Sequence, residues 1–323
     1  MDLQPPAYRG RRAYEDWNCA KLFLTAKDFL RDNASRDRFF LWLDCFDPHE
    51  PWDVPPEFVL KYDATPGYDG RIDPRTFGGW RDKIVTKAAV KRIRATYAGK
   101  VSWVDRWFGV LLDALEEMGL KKNTAVVLTS DHGTNDGTFN GFGKKLPVRE
   151  GEAHTPFMVF VPGAGSGRSD IIVQPQDVFA TVLGIAGSRA PTNLDSHDVL
   201  AVAREDLPGA RNIAIAGVPP ADGKILFSAF DGQWCLEVAG KREKCRLVRM
   251  GTGDDVAREH PGVVKDLHER ALDEYERRGA DPAIMHWLRA EGREPFPSRF
   301  VPHRFSPRPS GYQQYFQRLY HGE

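Results

Sequence analysis

The sequence has few cysteines for its length. Four of its 323 residues are Cys, and Cys19, Cys45, Cys235 and Cys245 are scattered without the spacing of a metal site. They are also too sparse to staple a fold together. The first six residues lack the basic and apolar regions of a signal peptide. We therefore expect a cytoplasmic location with reduced thiols.

Net charge and long apolar runs are missing as well. Lysine and arginine together number 45, as do aspartate and glutamate, so no charge excess favours nucleic acid or an anionic membrane surface. No apolar run approaches the roughly 20 residues of a membrane span. We therefore expect neither nucleic acid nor a membrane as a partner. The length suits one large α/β domain, or one domain with a smaller second one.

The most informative stretch is a short apolar run that leads into polar residues and glycines. Residues 125–128 are typical of a buried parallel strand, and Asp131 and His132 follow where that strand ends. Ligands of doubly wound α/β proteins bind at the carboxyl ends of strands. A carboxylate beside an imidazole is a natural pair of metal ligands, and Lys144 can reach an anion from a glycine-rich loop. The alternative is that Asp131 caps a turn and His132 is polar surface.

A second apolar run leads into a proline-rich loop. Residues 39–43 predict a strand, and Pro48 and Pro51 stiffen the backbone on both sides of His49. An imidazole can donate a proton near neutral pH, which suits a general acid. The alternative is a surface histidine in a proline-rich turn.

A long amphipathic stretch lies between these two motifs. Between residues 83 and 118, apolar side chains recur at alternating steps of four and three, which predicts a helix. The predicted apolar stripe consists of Ile93, Tyr97, Val101, Val104, Phe108, Leu111, Leu115 and Met118. Gly119 closes it as a helix C-cap would. We expect this stripe to cover the sheet.

Three segments, in this order, resemble the sulfatase family of the alkaline phosphatase superfamily. They are residues 47–52, 97–105 and 130–144. The resemblance implies that Asp131 and His132 bind a divalent metal and that Lys144 contacts the sulfuryl group. It also implies that His49 contacts the bridging oxygen or the sulfuryl group of the ester and acts as general acid.

The expected fold class is α/β, with a mostly parallel sheet flanked by helices. The resemblance makes this core alkaline phosphatase-like but incomplete, with a small C-terminal antiparallel sheet. Residues 225–238 predict a hairpin because Asp231 and Gly232 supply the positive φ angles of a tight turn. Residues 245–250 can add a third strand. The predicted domains are a partial core at 1–189, a C-terminal subdomain at 190–278 and an extended tail at 279–323.

Two features of the resembled family are missing from the printed residues. One is a pair of aspartates that completes the metal site, and the other is a Cys-x-Pro-Ser-Arg signature whose cysteine becomes the formylglycine nucleophile. None of the four cysteines stands in that context. Two ligands rarely hold a divalent ion tightly, and without a nucleophile the sulfur centre has no acceptor. We therefore expect a fragment, one half of a split enzyme with a cognate N-terminal half, or a decayed homologue.

The leading hypothesis is a metal-dependent hydrolase of small-molecule or saccharide sulfate esters, inactive as this chain alone. Ca²⁺ is the expected cofactor, narrowly ahead of Mn²⁺ or Zn²⁺, because His132 is a poor Ca²⁺ ligand. One alternative is a phosphodiester or phosphonate monoester hydrolase of the same superfamily. A second alternative is a binding protein that retains the fold without catalysis.

Overall fold

The computed structural model describes residues 11, 13–36, 38–70, 86–137, 142–144, 146–188, 190–191, 194–205, 211–217, 225–240 and 244–290. These residues fall into two compact units, one that ends at Thr124 and one that begins at Ala125. The domain boundaries expected at 189 and 278 stay predictions. Residues 291–323 of the expected tail lie outside the described residues.

The first unit is helical in its described part. A single 3₁₀ turn, Tyr14–Asp16, precedes three α-helices, which are α1 (Asn18–Asn33), α2 (Pro56–Leu60) and α3 (Lys87–Glu117). Both α1 and α2 pack against α3. The side-chain hydroxyl of Thr86 caps α3 by accepting a hydrogen bond from the Ala89 amide, which satisfies one of the free N–H groups of the first turn.

The long helix α3 is confirmed, but its buried face differs from the predicted stripe. Trp103 is fully buried, whereas Val101 of the predicted stripe is 42% exposed. Aromatic rings from the preceding elements surround Trp103, with centroid distances of 5.3 Å to Tyr14, 5.5 Å to Trp17 and 5.1 Å to Phe58. Because large aromatic side chains bury the most apolar area, these contacts select the face of α3 that turns inward.

The segment predicted as a strand at 39–43 is extended but has no strand partner among the described residues. Its side chains alternate as in a strand, and Phe40 and Trp42 are 67% and 64% exposed. A strand is stabilised by its ladder and by cross-strand neighbours. The strand prediction is therefore wrong for the described structure, because nothing pairs with this segment there.

The second unit begins with two short strand pairs. Its first elements are β1 (Val126–Thr129), β2 (Asn135–Asp136), β3 (Phe142–Gly143), α4 (Glu150–Ala153) and β4 (Phe157–Phe160). β1 pairs with β4 and β2 pairs with β3, both antiparallel. The predicted parallel pairing is thus absent from the described strands. In the described residues β4 instead returns beside β1 in the opposite direction, with Val126 opposite Phe160 and Thr129 opposite Phe157.

The predicted C-terminal antiparallel sheet is confirmed. It has four strands in the order β5 (Ala214–Gly217), β6 (Leu226–Phe230), β7 (Trp234–Ala239) and β8 (Arg246–Arg249). The Asp231-Gly232 turn joins β6 to β7, and Gly232 has a φ of 90°. Strand β5 is a fourth strand that the sequence analysis does not predict. The expected α/β fold class with a small antiparallel sheet therefore holds.

Four further helices complete the described second unit. They are α5 (Asp177–Ile185), α6 (Val199–Glu205), α7 (Pro261–Arg277) and α8 (Pro282–Arg289). Helices α7 and α8 pack on each other and share one apolar core with the C-terminal sheet, in which Leu236, Leu247 and Leu267 are fully buried. No helix in the described ranges is long and apolar enough to cross a membrane.

Candidate active site

Asp131 and His132 lie directly after β1 and present their side chains side by side. The Asp131 Oδ2 and His132 Nε2 atoms are 3.6 Å apart, and the two side chains are 85% and 48% exposed. The His132 amide donates to Asp131 Oδ1 at 2.8 Å, which orients the carboxylate. Donor atoms at this separation can share one cation, whose bonds to oxygen and nitrogen ligands are about 2.0–2.6 Å long.

The second nitrogen of His132 is held by the backbone. His132 Nδ1 lies 2.8 Å from the carbonyl oxygen of Gly133. A carbonyl only accepts hydrogen bonds, so this contact favours a proton on Nδ1, and Nε2 is the nitrogen that faces Asp131. Metal-binding histidines show this arrangement, in which one ring nitrogen binds the ion and the other donates to a carbonyl or carboxylate.

The loop that follows is fixed by close backbone packing. The Gly133 amide donates to the carbonyl of Glu152 at 2.7 Å. A Cβ atom at Gly133 would lie 2.3 Å from the carbonyl oxygen of Gly151, a distance that no side chain tolerates. Gly133 therefore permits α4 to approach Asp131 and His132. The sequence analysis does not predict that this position requires glycine.

Asn135 and Glu152 form the buried support beneath this loop. Asn135 Nδ2 donates to Glu152 Oε2 at 2.8 Å and to the Gly143 carbonyl at 2.7 Å. Asn135 pairs with Gly143 across β2 and β3, so Lys144 follows opposite Thr134. Lys144 is exposed. A role for Lys144 beside Asp131 and His132 stays a prediction.

His49 lies in the first unit, at the tip of the predicted proline-rich loop. Its side chain is 40% exposed, and its ring stacks on Phe46 at a centroid distance of 4.4 Å. Nδ1 lies 2.6 Å from the Glu50 carbonyl oxygen. The proton therefore resides on Nδ1, which leaves Nε2 as the atom that can exchange a proton with a ligand. Convergence of His49 with Asp131, His132 and Lys144 stays a prediction.

The residue that sequence reasoning missed is Lys100. It is 1% exposed, and its Nζ contacts the Asp47 carboxylate at 3.0 Å, the Asp53 carboxylate at 3.1 Å and the Asp53 carbonyl at 3.0 Å. Arg11 pairs with Asp53 as well. Asp47 and Asp53 lie on either side of His49, so one buried ammonium fastens both ends of its loop.

Burial and charge compete in this cluster. Burial works to lower the pKa of Lys100, but Asp47 and Asp53 together outweigh it and raise the pKa. Burial is the largest influence on Asp47 and raises the pKa of its carboxyl group, with Lys100 opposing that rise. The two carboxylates compensate the buried ammonium of Lys100, because an unpaired buried charge is strongly unfavourable.

The donor set found here is incomplete for a metal. Among the described residues, no group of three His, Cys, Asp or Glu side chains is placed to hold an ion. Asp131 and His132 fit a divalent cation in geometry and chemistry, but Ca²⁺ takes six to eight oxygen ligands and Zn²⁺ four donors. The pair can therefore be only part of a metal site.

Comparison with known proteins identifies the family. A sequence model of the sulfatase family matches residues 5–188, which is more than half of the 323 residues. The chain belongs to the sulfatase family. An arylsulfatase of Clostridium perfringens is 31% identical over 188 residues, which are 52% of this chain and 38% of that protein. The matched part is thus well under two thirds of the relative's length.

Solved structures share the fold. The phosphonate monoester hydrolase of Silicibacter pomeroyi superposes with a TM-score of 0.63 at 18% identity, over 87% of this chain and 67% of that one. A protein solved in complex with its substrate D-glucosamine-2-N,6-O-disulfate has a TM-score of 0.50 at 20% identity, over 60% and 42% of the two chains. At these identities the likeness establishes the sulfatase and phosphonate hydrolase fold alone.

Proposed function

We propose that this chain contributes half of the active site of a metal-dependent sulfate ester hydrolase. Asp131 and His132 are its metal ligands, Lys144 binds the sulfuryl group and His49 is the general acid. The nucleophile and the remaining carboxylate ligands come from residues that are not among these 323. The supporting facts are membership of the sulfatase family and a residue set that holds no formylglycine signature.

One observation carries the proposal. The Asp131 and His132 donor atoms lie 3.6 Å apart while the other His132 nitrogen faces a backbone carbonyl. A surface histidine that binds no ligand does not require both the short distance to a carboxylate and the contact of its other nitrogen with a carbonyl. A turn-capping role explains the contact from the His132 amide to Asp131, but it leaves the orientation of the imidazole unexplained.

The residues of this chain have separate tasks in the proposed reaction. A divalent cation bound at Asp131 and His132 would polarise the sulfuryl group and offset negative charge on the attacked centre. Lys144 adds a fixed positive charge for the sulfuryl oxygens. In its doubly protonated form, His49 donates the Nε2 proton to the leaving oxygen, while the Glu50 carbonyl accepts from Nδ1–H and keeps the ring oriented.

Exposed apolar side chains support the idea that further polypeptide completes the core. Phe40 and Trp42 are 67% and 64% exposed on an extended segment, and Met158 on β4 is 62% exposed. Extended edges with large apolar side chains invite pairing with another strand. A cognate N-terminal half that adds strands there would cover them.

The preferred substrates are sulfate esters, with saccharides as the organic part. Support for a saccharide is the shared fold with a protein whose substrate is a glucosamine disulfate. A phosphodiester or phosphonate monoester is the second candidate, favoured by the nitrogen ligand His132 and by the shared fold with a phosphonate monoester hydrolase. Ca²⁺ suits the sulfatase proposal, and Mn²⁺ or Zn²⁺ suits the second candidate.

Metal titration of the isolated chain tests the ligand pair. Isothermal titration calorimetry with Mn²⁺ should detect weak binding, because only two of the ligands are present, and Asp131→Asn should weaken it, because a neutral amide replaces a charged carboxylate. Equal binding by the wild type and Asp131→Asn would overturn the assignment of Asp131.

Turnover of an aryl sulfate tests the half-site. The isolated chain should show none with Ca²⁺, Mn²⁺ or Zn²⁺, because it has no nucleophile. Clear turnover that His49→Ala abolishes would contradict the proposal and require another nucleophile. Tight binding of the intact ester without any metal would instead favour the non-catalytic binding protein.

A further inference from the structure

Two cysteines of the first unit lie next to each other although they are 26 positions apart in sequence. Cys19 is in the first turn of α1 and is 2% exposed. Cys45 is half-buried in the extended segment that leads into the His49 loop. Their sulfur atoms are 3.8 Å apart. A disulfide bond is about 2.05 Å long, so the two sulfurs must approach by roughly 1.8 Å to bond.

The other two cysteines cannot form such a bond. Cys235 pairs with Val248 across β7 and β8, so the same register places Cys245 opposite Val238. Three strand positions, about 10 Å at roughly 3.3 Å per residue, therefore separate the two cysteines along the ladder. Bridged cysteines have Cα atoms less than about 7 Å apart. The chain thus holds one bridgeable pair and one buried pair that serves as its control.

The environment of the close pair also favours thiol chemistry. The contact with Cys19 lowers the pKa of Cys45, while the same contact and burial raise the pKa of Cys19. Cys45 is therefore the sulfur that more readily becomes a thiolate, which is the nucleophilic form. Burial raises the pKa of Cys235, which keeps that thiol protonated and unreactive.

We propose that Cys19 and Cys45 form a reversible disulfide that ties α1 to the segment leading into His49. With hydrogen peroxide as oxidant, the Cys45 thiolate attacks one peroxide oxygen, the O–O bond breaks and hydroxide leaves to become water. The Cys19 sulfur then attacks the sulfur of the Cys45 sulfenic acid. The S–S bond forms, the S–O bond of Cys45 breaks, and the oxygen leaves as a second water. Two thiols and one peroxide thus give one disulfide and two waters. A dithiol reductant reverses the reaction.

The Cys19–Cys45 disulfide would add a third attachment point to the loop that carries His49. Lys100 already holds Asp47 and Asp53, and a disulfide at Cys45 would hold the chain two residues before Asp47. Restricted motion of His49 would regulate the hydrolase, and this consequence alone rests on the proposed function. Bond formation itself needs no metal, substrate or second polypeptide.

Peptide mapping of the peroxide-treated full chain tests the bond. Free thiols are blocked with N-ethylmaleimide in denaturant, and the digest is analysed by mass spectrometry with and without dithiothreitol. We expect a peptide pair joined through Cys19 and Cys45 that the reductant separates, with Cys235 and Cys245 carrying the maleimide. Cys45→Ser should abolish the pair, and Cys235→Ser should leave it unchanged.

Two results would overturn the proposal. One is oxidation of Cys45 to the sulfinic acid while Cys19 still takes the maleimide. The other is crosslinking of Cys235 or Cys245 as readily as of the close pair. Hydrogen exchange provides a second measurement, in which the amides of Phe46, Asp47, His49 and Glu50 should exchange more slowly in the oxidised chain. Neither readout uses turnover, so failure of the hydrolase proposal would leave the result interpretable.

Discussion

The two loops that carry the candidate residues present them similarly and are supported differently. His49 and His132 are both exposed at 40% and 48% of their side chains. The His49 loop is fastened by buried side-chain charge, through Lys100 and its two aspartates. The His132 loop is fastened by backbone contacts, since Gly133 bonds to Glu152 and leaves no room for a side chain.

The difference bears on how each loop can fail. An ion cluster in the interior has a high desolvation cost, so losing one charge leaves the others uncompensated. A backbone contact that depends on glycine fails when a side chain is added, through steric overlap. Single substitutions in each support should therefore differ in size, in pH dependence and in the function that they impair.

The largest effect is expected for Lys100→Met. Methionine fills much of the same volume as lysine. It leaves the buried Asp47 carboxylate without its ammonium partner, and Asp53 loses its contacts with Lys100. Loss of one partner of a buried ion pair costs about 3–5 kcal/mol. The free energy of unfolding, measured in urea by tryptophan fluorescence, should fall by that amount.

Lys27→Met is the matched control for this substitution. Lys27 pairs with Glu117 at 3.3 Å, but the two side chains are 32% and 64% exposed. An exposed pair contributes roughly 0–1 kcal/mol, so the control should be nearly neutral. Similar losses in both variants would mean that Lys100 supports the His49 loop no more than a surface charge does.

The sequence carried little information about the Lys100 cluster. A lysine is expected on the polar side of a helix, and only Trp103 and Trp107, three and seven residues later, suggest that position 100 faces inward. The partners Asp47 and Asp53 are about 50 residues away in sequence, so no local pattern reports the contact. The predicted stripe therefore included Val101, which is exposed.

The second-largest loss of stability is expected for Gly133→Ala. Its Cβ would lie 2.3 Å from a backbone oxygen that cannot rotate away, so α4 or the ligand loop must shift, at roughly 1–3 kcal/mol. Circular dichroism in urea should report the lost stability. Gly165→Ala, where a Cβ meets nothing within 4 Å, should be neutral. An equally stable Gly133→Ala variant would show that the loop is loosely held.

The strand beside the candidate metal ligands was predicted from a local pattern, and the surrounding sheet was less predictable. Asp131 and His132 follow a short apolar run within four residues, so β1 and the candidate ligands are encoded within eight residues, and the ligand role stays a prediction. The direction of pairing depends on the chain between strands, and β1 and β4 return antiparallel. The exposed extended segment around Phe40 and Trp42 depends on neighbours that a local pattern does not reveal. The cytoplasmic location stays a prediction.

A smaller and more selective effect is expected for His132→Asn. An amide oxygen is a hard donor, so weak Ca²⁺ binding by the isolated chain should be retained, whereas Mn²⁺ or Zn²⁺ binding should weaken about tenfold, or ~1.4 kcal/mol. Calorimetric titration measures both. His154→Asn is the control, because His154 lies 3.8 Å from the Glu150 carboxylate and is 73% exposed. Equal losses for all three cations, or the same loss in the control, would contradict the ligand role.

The smallest effect is a pH dependence that separates the two influences on Lys100. Its pKa in the folded chain is raised above the ordinary value of 10.5 because Asp47 and Asp53 outweigh burial. The stability that this ammonium contributes is therefore complete below pH 10.5 and is lost as the pH rises through the higher folded value. Over the alkaline range, the difference in unfolding free energy between the wild type and Lys100→Met should stay constant up to pH 10.5 and shrink above it. Were the difference to shrink below pH 10.5, burial would dominate, and the charged support of the His49 loop would be weaker than its geometry indicates. Urea titrations of both proteins at a series of alkaline pH values decide between these outcomes.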